Sequence, residues 1–414
     1  MNINGSTTEC RSCGETELEI VLSLGRTPLA NALLTDEQLS EVEATYPLDL
    51  AFCSHCALVQ ITETIPPEKL FREYFYLSSF SETMLRHAEE IAVRLTSARY
   101  LDANSLVVEV ASNDGYLLQY YKHAGIPVLG IEPATNIAHI AQEERDIPTV
   151  CDFFGEALAE RLSHEGKRAD VIHANNVLAH VADLNGVVRG FAELLKPDGI
   201  AVIEVPYVKE MIDRCAFDTI YHEHLCYFSL TALDRLFKRH ELRICNVEHF
   251  DIHGGTLRIF AGRASAKGEA TAAVRRMLDE EAAWGVGDAS FYRGFGAKVE
   301  RLRGELVKLL NDLKAQGKRI AVYGASAKGS TLLNYFRIGQ ETLDFVVDRS
   351  TVKQSYYTPG THLRIHAPEK LLDMMPDYVL LLTWNFADEI LQQQSEYRRR
   401  GGRFIIPIPE PAII

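Results

Sequence analysis

The stretch Ser105-Leu-Val-Val-Glu-Val-Ala-Ser-Asn-Asp-Gly115 decides the fold of this chain. Its apolar part, 105–110, is typical of a strand buried in a parallel sheet, and the small polar residues at 113–115 indicate a turn. A helix over 116–123 and a second strand over 128–131 are predicted next. Because strands and helices alternate, the sequence predicts a doubly wound α/β sheet.

The alternation continues on both sides of this stretch. Apolar residues at helical spacing predict a helix from Ser81 to Leu95, and further strands are predicted at 171–174 and 200–205. A largely helical region over 270–317, with a break at 285–289, comes later in the chain.

A second α/β unit repeats the layout of the first. Its strand, turn of small residues, helix and next strand are predicted over 318–323, 324–329, 330–336 and 342–347. In each unit a carboxylate ends the second strand, Glu132 in the first and Asp348 in the second. The chain is therefore predicted to contain two similar nucleotide-type folds.

Four cysteines set the N-terminal region apart as a small head. They form two Cys-x-x-Cys pairs, Cys10 with Cys13 and Cys53 with Cys56, separated by 39 residues. Two such pairs are the ligand set of a closed tetrahedral zinc site, although redox pairs or disulfides are alternatives. The polar N-terminus lacks the apolar region of a signal peptide, so we expect a cytoplasmic protein, in which disulfides are disfavoured. The zinc is expected to be structural, because four thiolates leave no open position for chemistry.

Charge and hydropathy narrow the class of partner. The formal net charge is -14, from 57 acidic and 43 basic residues, which disfavours a nucleic-acid surface. The sequence contains no run of about 18 apolar residues, so no membrane span is predicted. An anionic small molecule held by a few local donors remains compatible with this composition.

The loop after the first strand is predicted to bind a cofactor, because ligands of this fold lie at the carboxyl ends of the strands. The loop has no GxGxxG motif for a pyrophosphate, and Glu132 is placed to accept hydrogen bonds from both ribose hydroxyls. A carboxylate ahead of a loop of small residues suits S-adenosylmethionine, which has no phosphate and a cationic amino acid end. A turn without a ligand is the alternative. The predicted cofactor-binding residues are Glu109, Ala111, Ser112, Asn113, Gly115, Glu132 and Asn175.

The segment Tyr221-His222-Glu223-His224 supplies a base, a proton donor and an orienting anion. An imidazole titrates near neutral pH, which suits the removal of a proton next to a carbonyl. A metal site would need a further ligand, and a solvated polar turn is the other alternative. His180 follows a predicted strand on the same face, and Tyr74 or Tyr76 lies where the head joins the body, for packing or for function.

The second unit carries an anion site in its turn, Gly324 to Ser330. Backbone N–H groups at a helix N-terminus, with a lysine and serines, favour a phosphate or pyrophosphate. Another strand, predicted over 378–383, ends in Trp384-Asn385 on the same face. The predicted substrate-binding residues are Ser326, Lys328, Asp348, Trp384 and Asn385.

Together these motifs resemble the S-adenosylmethionine-dependent C-methyltransferases that act on nucleotide-linked keto-deoxysugars. The resemblance covers nearly the whole chain and includes Pro28-Leu-Ala-Asn31 and His253-Gly-Gly-Thr256. It implies a zinc-binding domain, a central methyltransferase domain and an α/β domain for the nucleotide diphosphate, over 1–70, 71–265 and 266–414. One departure is that many methyltransferases have glycine at the positions of Ala111 and Asn113.

The resemblance also implies the site residues and the reaction. His224 is the expected base, and Tyr76, His180, Tyr221 and Glu223 are expected to line the reacting sugar. The expected reaction methylates carbon 3 of an NDP-4-keto-6-deoxysugar, dTDP-linked, in antibiotic biosynthesis. Glu223 would orient the histidines, and His180 or a tyrosine hydroxyl would donate to the enolate oxygen. A methyltransferase acting on another substrate and a non-catalytic zinc-containing binding module are the alternatives.

Overall fold

A computed structural model describes residues 9–71, 77–251, 254–266 and 268–414. Within these ranges the strands are, in chain order, β1 (Glu19–Thr27), β2 (Tyr46–Phe52), β3 (Val59–Ile61), β4 (Val107–Val110), β5 (Val128–Ile131), β6 (Thr149–Val150), β7 (Ala169–Asn175), β8 (Leu195–Pro206), β9 (Cys226–Tyr227), β10 (Leu242–Phe250), β11 (Thr256–Arg263), β12 (Ile320–Tyr323), β13 (Val346–Val347), β14 (Ile365–His366), β15 (Tyr378–Leu381), β16 (Arg403–Ile406) and β17 (Ala412–Ile413).

The helices of the same ranges are α1 (Pro67–Phe71), α2 (Glu82–Ala98), α3 (Leu118–His123), α4 (Thr135–Arg145), α5 (Glu156–His164), α6 (Leu184–Leu194), α7 (Val208–Asp213), α8 (Leu230–Arg239), α9 (Ala272–Trp284), α10 (Ala289–Ala315), α11 (Ala327–Phe336), α12 (Lys370–Met374), α13 (Ala387–Gln393) and α14 (Ser395–Arg399). Ser81 caps α2 by accepting from the Met84 N–H, at the start that the sequence predicted. No helix in the described part of the chain combines the length and apolarity that crossing a bilayer requires.

The head contains a four-stranded antiparallel sheet in the order β1-β2-β3-β9. Its fourth strand, β9, comes from the middle of the chain and pairs Tyr227 with Val59 of β3. The long helix α10 lies against the same sheet, where Tyr292 stacks on Phe52 with ring centroids 4.5 Å apart. The head is therefore completed by residues far from it in sequence.

The central sheet has seven strands in the order β10-β11-β8-β7-β4-β5-β6. Strands β4 to β8 are parallel, and β11 and β10 add an antiparallel edge. All residues of β4 and β5 are buried, as expected for a parallel strand covered on both faces. The predicted doubly wound α/β architecture is confirmed, and the strand predicted at 128–131 is β5 to the residue.

The C-terminal sheet has six strands in the order β14-β13-β12-β15-β16-β17, parallel except for β17. The strand predicted over 342–347 is shorter than expected, because only Val346–Val347 pair. The Thr342 and Leu343 N–H groups instead donate to the Gly339 carbonyl and close a turn. The predicted break between two long helices is confirmed, since α9 ends at Trp284 and α10 begins at Ala289.

Candidate active site

A cavity of about 770 Å³ lies where the central sheet, the segment after β8 and the C-terminal unit meet. The predicted site residues that line it are Ala111, Asn113, Glu132, Asn175, His180, Tyr221, His224, Ser326, Lys328, Trp384 and Asn385. Those that do not line it are Glu109, Ser112, Gly115, Glu223 and Asp348. Tyr74, Tyr76 and His253 lie outside the described residues. The structure thus brings the predicted cofactor side, base and anion site together around one space.

The cofactor loop adopts an unusual backbone without the glycines of other methyltransferases. Ala111, Asn113 and Gly115 all have positive φ, at 51°, 49° and 76°. Asparagine tolerates this left-handed region better than most residues, and Asn113 is further fixed because its Oδ1 accepts from the Ser78 N–H at 2.8 Å. The loop therefore has alanine and asparagine at two of its three left-handed positions.

Glu132 braces this loop as well as facing the cavity. Its Oε2 accepts from the Asn113 N–H at 2.9 Å, and its Oε1 accepts from the Ala134 N–H at 2.9 Å. Burial raises the pKa of Glu132, and the two hydrogen bonds oppose that effect. Each carboxylate oxygen has a second lone pair, so hydroxyl groups in the cavity can still donate to it.

Buried acceptors without partners lie near the ends of β4 and β7. Among the described residues, Glu109 Oε2 and Asn175 Oδ1 have no hydrogen-bond partner. Burial raises the pKa of Glu109 well above its usual value, and the charges of Asp114, Glu132 and Glu204 add to this. Unpaired acceptors of this kind are costly unless a donor arrives, and Asn175, which lines the cavity, can accept from an amino group there.

His224 is held in one tautomer. Its Nδ1 donates to the Thr219 carbonyl at 2.8 Å, so the neutral ring keeps its lone pair on Nε2. Tyr221 donates its hydroxyl to that Nε2 at 2.9 Å. Burial lowers the pKa of His224 well below 6.5, with His180 adding to the effect, so the ring is neutral at physiological pH.

His180 is also neutral and cannot be the donor that the sequence allowed. Its Nδ1 donates to the Glu223 carbonyl at 2.7 Å, and burial lowers its pKa to about 4. Its Nε2 therefore carries a lone pair and no proton. The ring lies edge-on to His224, with centroids 4.8 Å apart. The two expected donors to an enolate oxygen were His180 and a tyrosine hydroxyl. Of these, the Tyr221 hydroxyl can still donate a hydrogen bond.

The Glu223 side chain points to the head. Its Oε1 accepts from Asn31 Nδ2 at 2.7 Å, and it does not orient His224, whose orienting acceptor is the Thr219 carbonyl. Burial raises the pKa of Glu223 to about 6, opposed by the Asn31 hydrogen bond and the charge of Lys353. The sequence could not predict that Thr219 orients His224, because the contact uses a backbone carbonyl, which every residue has. The signal for Asn31 was its place in the Pro28–Asn31 motif.

The catalytic segment, residues 217–227, is bonded to all parts of the molecule. His222 Nε2 donates to the Pro47 carbonyl of the head at 3.0 Å, and β9 pairs with β3. The Leu225 N–H donates to the Ala179 carbonyl of the central unit at 2.6 Å. From the C-terminal unit, Thr331 Oγ1 donates to the Ile220 carbonyl at 3.1 Å. The position of His224 therefore depends on all three.

The anion site is formed by the start of α11. Ser326 caps the helix by accepting from the Gly329 N–H at 3.1 Å. Lys328 places its Nζ 5.2 Å from the centroid of the Trp384 ring and forms no ion pair with any described residue. Asp348 lies behind this loop, where its carboxylate accepts from the Ala325 and Ser350 N–H groups. The role of Asp348 is thus to brace the loop, as Glu132 does in the first unit.

The four head cysteines fit a tetrahedral metal ion. Their Sγ atoms lie within 4.8 Å of one another, with Cys10 to Cys56 at 3.4 Å and Cys13 to Cys53 at 3.5 Å. Zn–S bonds of about 2.3 Å in a tetrahedron place sulfur atoms about 3.8 Å apart. The cysteines are free thiols rather than disulfides, and none of them lines the cavity. A metal here would be structural.

Comparisons with known proteins identify family models and relatives that match parts of the chain. Three family models match, described as "Putative zinc binding domain" over residues 10–71, "Methyltransferase domain" over 84–247 and "C-methyltransferase C-terminal domain" over 251–409. A ubiquinone biosynthesis O-methyltransferase of Azorhizobium caulinodans is 29% identical over 97 residues, 23% of this chain and 38% of that protein. The solved structure of PH0226 protein from Pyrococcus horikoshii is 15% identical, with a TM-score of 0.37, over 48% of this chain and 98% of that one.

A full-length relative decides the family. The C-methyltransferase NovU of Streptomyces niveus is 38% identical over 406 residues, which are 98% of this chain and 96% of that protein. The similarity thus extends through the head, the central unit and the C-terminal unit. The chain is a methyltransferase and belongs to the C-methyltransferase family that includes NovU.

Proposed function

We propose that the enzyme transfers the methyl group of S-adenosylmethionine to carbon 3 of an NDP-4-keto-6-deoxysugar, with a dTDP-linked sugar as the substrate to test first. The observation that carries the proposal is the place of His224. His224 lines the same cavity as the cofactor loop and Lys328, and its Nε2 accepts from the hydroxyl of Tyr221, which also lines that cavity. A neutral base between a donor site and an anion site suits carbanion methylation of an anionic ketone substrate.

S-adenosylmethionine would lie along the ends of β4, β5 and β7. Glu132 would accept from its ribose hydroxyls, and the unpaired acceptor of Asn175, which lines the cavity, would face its ammonium end. The bound donor supplies an electrophilic methyl group on a sulfonium. The protein contributes position, because holding both reactants in line removes much of the entropic cost of their encounter.

Enolate formation would use Tyr221 and His224 together. When the Tyr221 hydroxyl donates to the ketone oxygen, His224 Nε2 is released to take the proton from carbon 3. The electron pair of the C–H bond would then form the new bond from carbon 3 to the methyl carbon, and the electrons of the broken S–CH3 bond would remain on the sulfur of the donor. The burial that keeps His224 neutral also weakens it as a base, so the hydroxyl must make the C–H bond more acidic.

The pH profile tests the state of the base. Because burial lowers the pKa of His224, its neutral form persists as the pH falls through 6.5, where an ordinary histidine would be half protonated. We expect kcat/KM at pH 6.5 to match its value at pH 7.5. Glu223→Gln is the control. Burial raises the pKa of Glu223 to about 6, so its titration falls close to the pH range tested for His224, and the glutamine variant removes it. An acid limb centred at 6.5 or higher in both proteins would contradict the assignment.

Lys328→Met tests the anion site. Losing this cation, which lines the cavity, should raise the KM for the sugar nucleotide about tenfold and leave kcat nearly unchanged, because the charge would hold the diphosphate and not take part in the methyl transfer. Lys209→Met is the matched control. Lys209 Nζ lies 5.5 Å from the centroid of the other tryptophan, Trp284, and does not line the cavity. Equal KM values for Lys328→Met and wild type would contradict the proposal that Lys328 binds the phosphate groups of the sugar nucleotide.

The head is proposed to hold a structural zinc ion through Cys10, Cys13, Cys53 and Cys56. Their spacing and their sulfur distances fit four-coordinate zinc, and free thiols suit a cytoplasmic enzyme.

The proposed methyl transfer is tested by product analysis. After incubation with S-adenosylmethionine and a dTDP-4-keto-6-deoxysugar, NMR should locate one new methyl group on carbon 3. A methyl group on oxygen would make the enzyme an O-methyltransferase.

A further inference from the structure

Asp218 is a fully buried carboxylate beside the cavity, and no role in the chemistry above requires it. It lies in the 3₁₀ turn Phe217–Thr219, at the start of the catalytic segment, and is 0% exposed. Its Oδ2 accepts from Trp384 Nε1 at 2.7 Å, across to the C-terminal unit. Its Oδ1 has no side-chain or backbone partner of normal geometry within the described residues. Burying a carboxylate with an unpaired oxygen costs folding free energy, so we looked for a function that would offset this cost.

The groups around Asp218 belong to the anion site. Trp384 lines the cavity, and its ring carries the Nζ of Lys328 at 5.2 Å. Burial raises the pKa of Asp218, and the Lys328 charge and the Trp384 hydrogen bond oppose that effect. The Asp218 carboxylate therefore attracts the Lys328 ammonium group and also holds the Trp384 indole through a hydrogen bond. Both effects set where an incoming anion meets the cation.

The same turn also sets the base. Thr219 follows Asp218 directly, and its carbonyl accepts from His224 Nδ1 at 2.8 Å. The next residue, Ile220, offers its carbonyl to Thr331 of α11. A continuous set of contacts thus links the Lys328–Trp384 pair through Asp218 and Thr219 to His224.

We propose that Asp218 is a positioning residue that holds the Trp384 indole, and Lys328 above it, so that a bound nucleotide diphosphate lies in register with His224. The inference rests on the proposed function, because it assumes that an anionic nucleotide group binds at Lys328. Asp218 does not line the cavity and would not contact the substrate. Its contribution is to preorganise the cation and the base, which would otherwise each find several positions.

The indole N–H of Trp384 gives a direct signal. The chain has two tryptophans, and the Nε1 of Trp284 has no hydrogen-bond partner among the described residues, so it serves as an internal reference. In the full-length protein labelled with 15N in the indole rings, Asp218→Leu should shift the Trp384 resonance and leave the Trp284 resonance in place. Asp218→Asn keeps an acceptor and should move it less. A Trp384 resonance unmoved in Asp218→Leu would overturn the contact.

Titration with dTDP tests the consequence. Asp218→Leu should weaken dTDP binding about tenfold, the loss expected for a charged hydrogen bond. Trp384→Phe should weaken it similarly, and the double variant should add nothing, because both act through one contact. Asp377→Leu is the control, a carboxylate of the C-terminal unit that accepts from the Arg319 N–H and does not line the cavity.

The outcomes separate the two proposals. If wild type binds dTDP and Asp218→Leu binds it equally well, the positioning role is wrong and the proposed function stands. Additive losses in the double variant would likewise reject action through Trp384. If wild type does not bind dTDP, the nucleotide-diphosphate part of the proposed function fails, and the positioning role fails with it.

Discussion

His224→Ala should lower turnover by at least 10²-fold, the usual contribution of general base catalysis. The variant removes the neutral Nε2 that lies beside the Tyr221 hydroxyl. It leaves the cofactor loop and the Lys328 loop untouched, so both ligands should still bind. The loss should therefore appear in kcat, with little change in the dissociation constants measured by calorimetry.

A second histidine of the same segment provides the control. His222 donates its Nε2 to the Pro47 carbonyl and does not line the cavity. His222→Gln keeps a donor and should retain turnover within a few-fold of wild type. If His224→Ala turns over at a near-normal rate while folded, His224 is not the base.

Cys53→Ser should release the head metal and abolish activity, although no cysteine of the set lines the cavity. Structural zinc sites contribute about 10–16 kcal/mol of apparent binding free energy in small domains, far more than one contact. We expect the loss of the metal to disturb the head sheet and, through that sheet, to displace His224. Cys53 and Cys56 precede β3, and β3 pairs with β9 at the end of the catalytic segment.

The measurement is metal content by mass spectrometry, together with circular dichroism and turnover. Cys151→Ser is the matched control, because Cys151 is exposed and lies outside the cysteine cluster. It should keep one metal ion per chain and full activity. A Cys53→Ser protein that is folded, metal-free and active would show that the cysteine cluster does not support the site.

Local patterns were enough to predict the parallel strands of the central sheet and β12 and β15 of the second unit. The buried runs that became β4 and β5 have the apolar pattern that is typical of a covered parallel strand. The equivalent layout of the second unit was also visible, down to the carboxylate after its second strand. The structure adds that Glu132 and Asp348 each accept from one backbone N–H group of the facing loop and from the N–H group two residues further along the chain.

Contacts between distant parts of the chain could not be predicted. The pairing of β9 with β3 joins residues more than 160 positions apart and involves two residues of unremarkable type. The tautomers of His180 and His224 are set by backbone carbonyls, which leave no signature in the sequence. The orientation of Glu223 toward Asn31 was missed because the two side chains are 192 positions apart in the sequence. The role of Tyr74 or Tyr76 stays a prediction.

Hydrogen exchange at carbon 3 of the substrate tests the central claim most directly. The protein would be incubated with a dTDP-4-keto-6-deoxysugar in deuterated buffer, with and without S-adenosylmethionine, and the sugar followed by mass spectrometry and NMR. His224→Ala would be run in parallel. We expect deuterium at carbon 3 without the donor, one methyl group on that carbon with it, and neither with His224→Ala. A methyl group on oxygen, gained without exchange at carbon 3, would contradict the enolate mechanism.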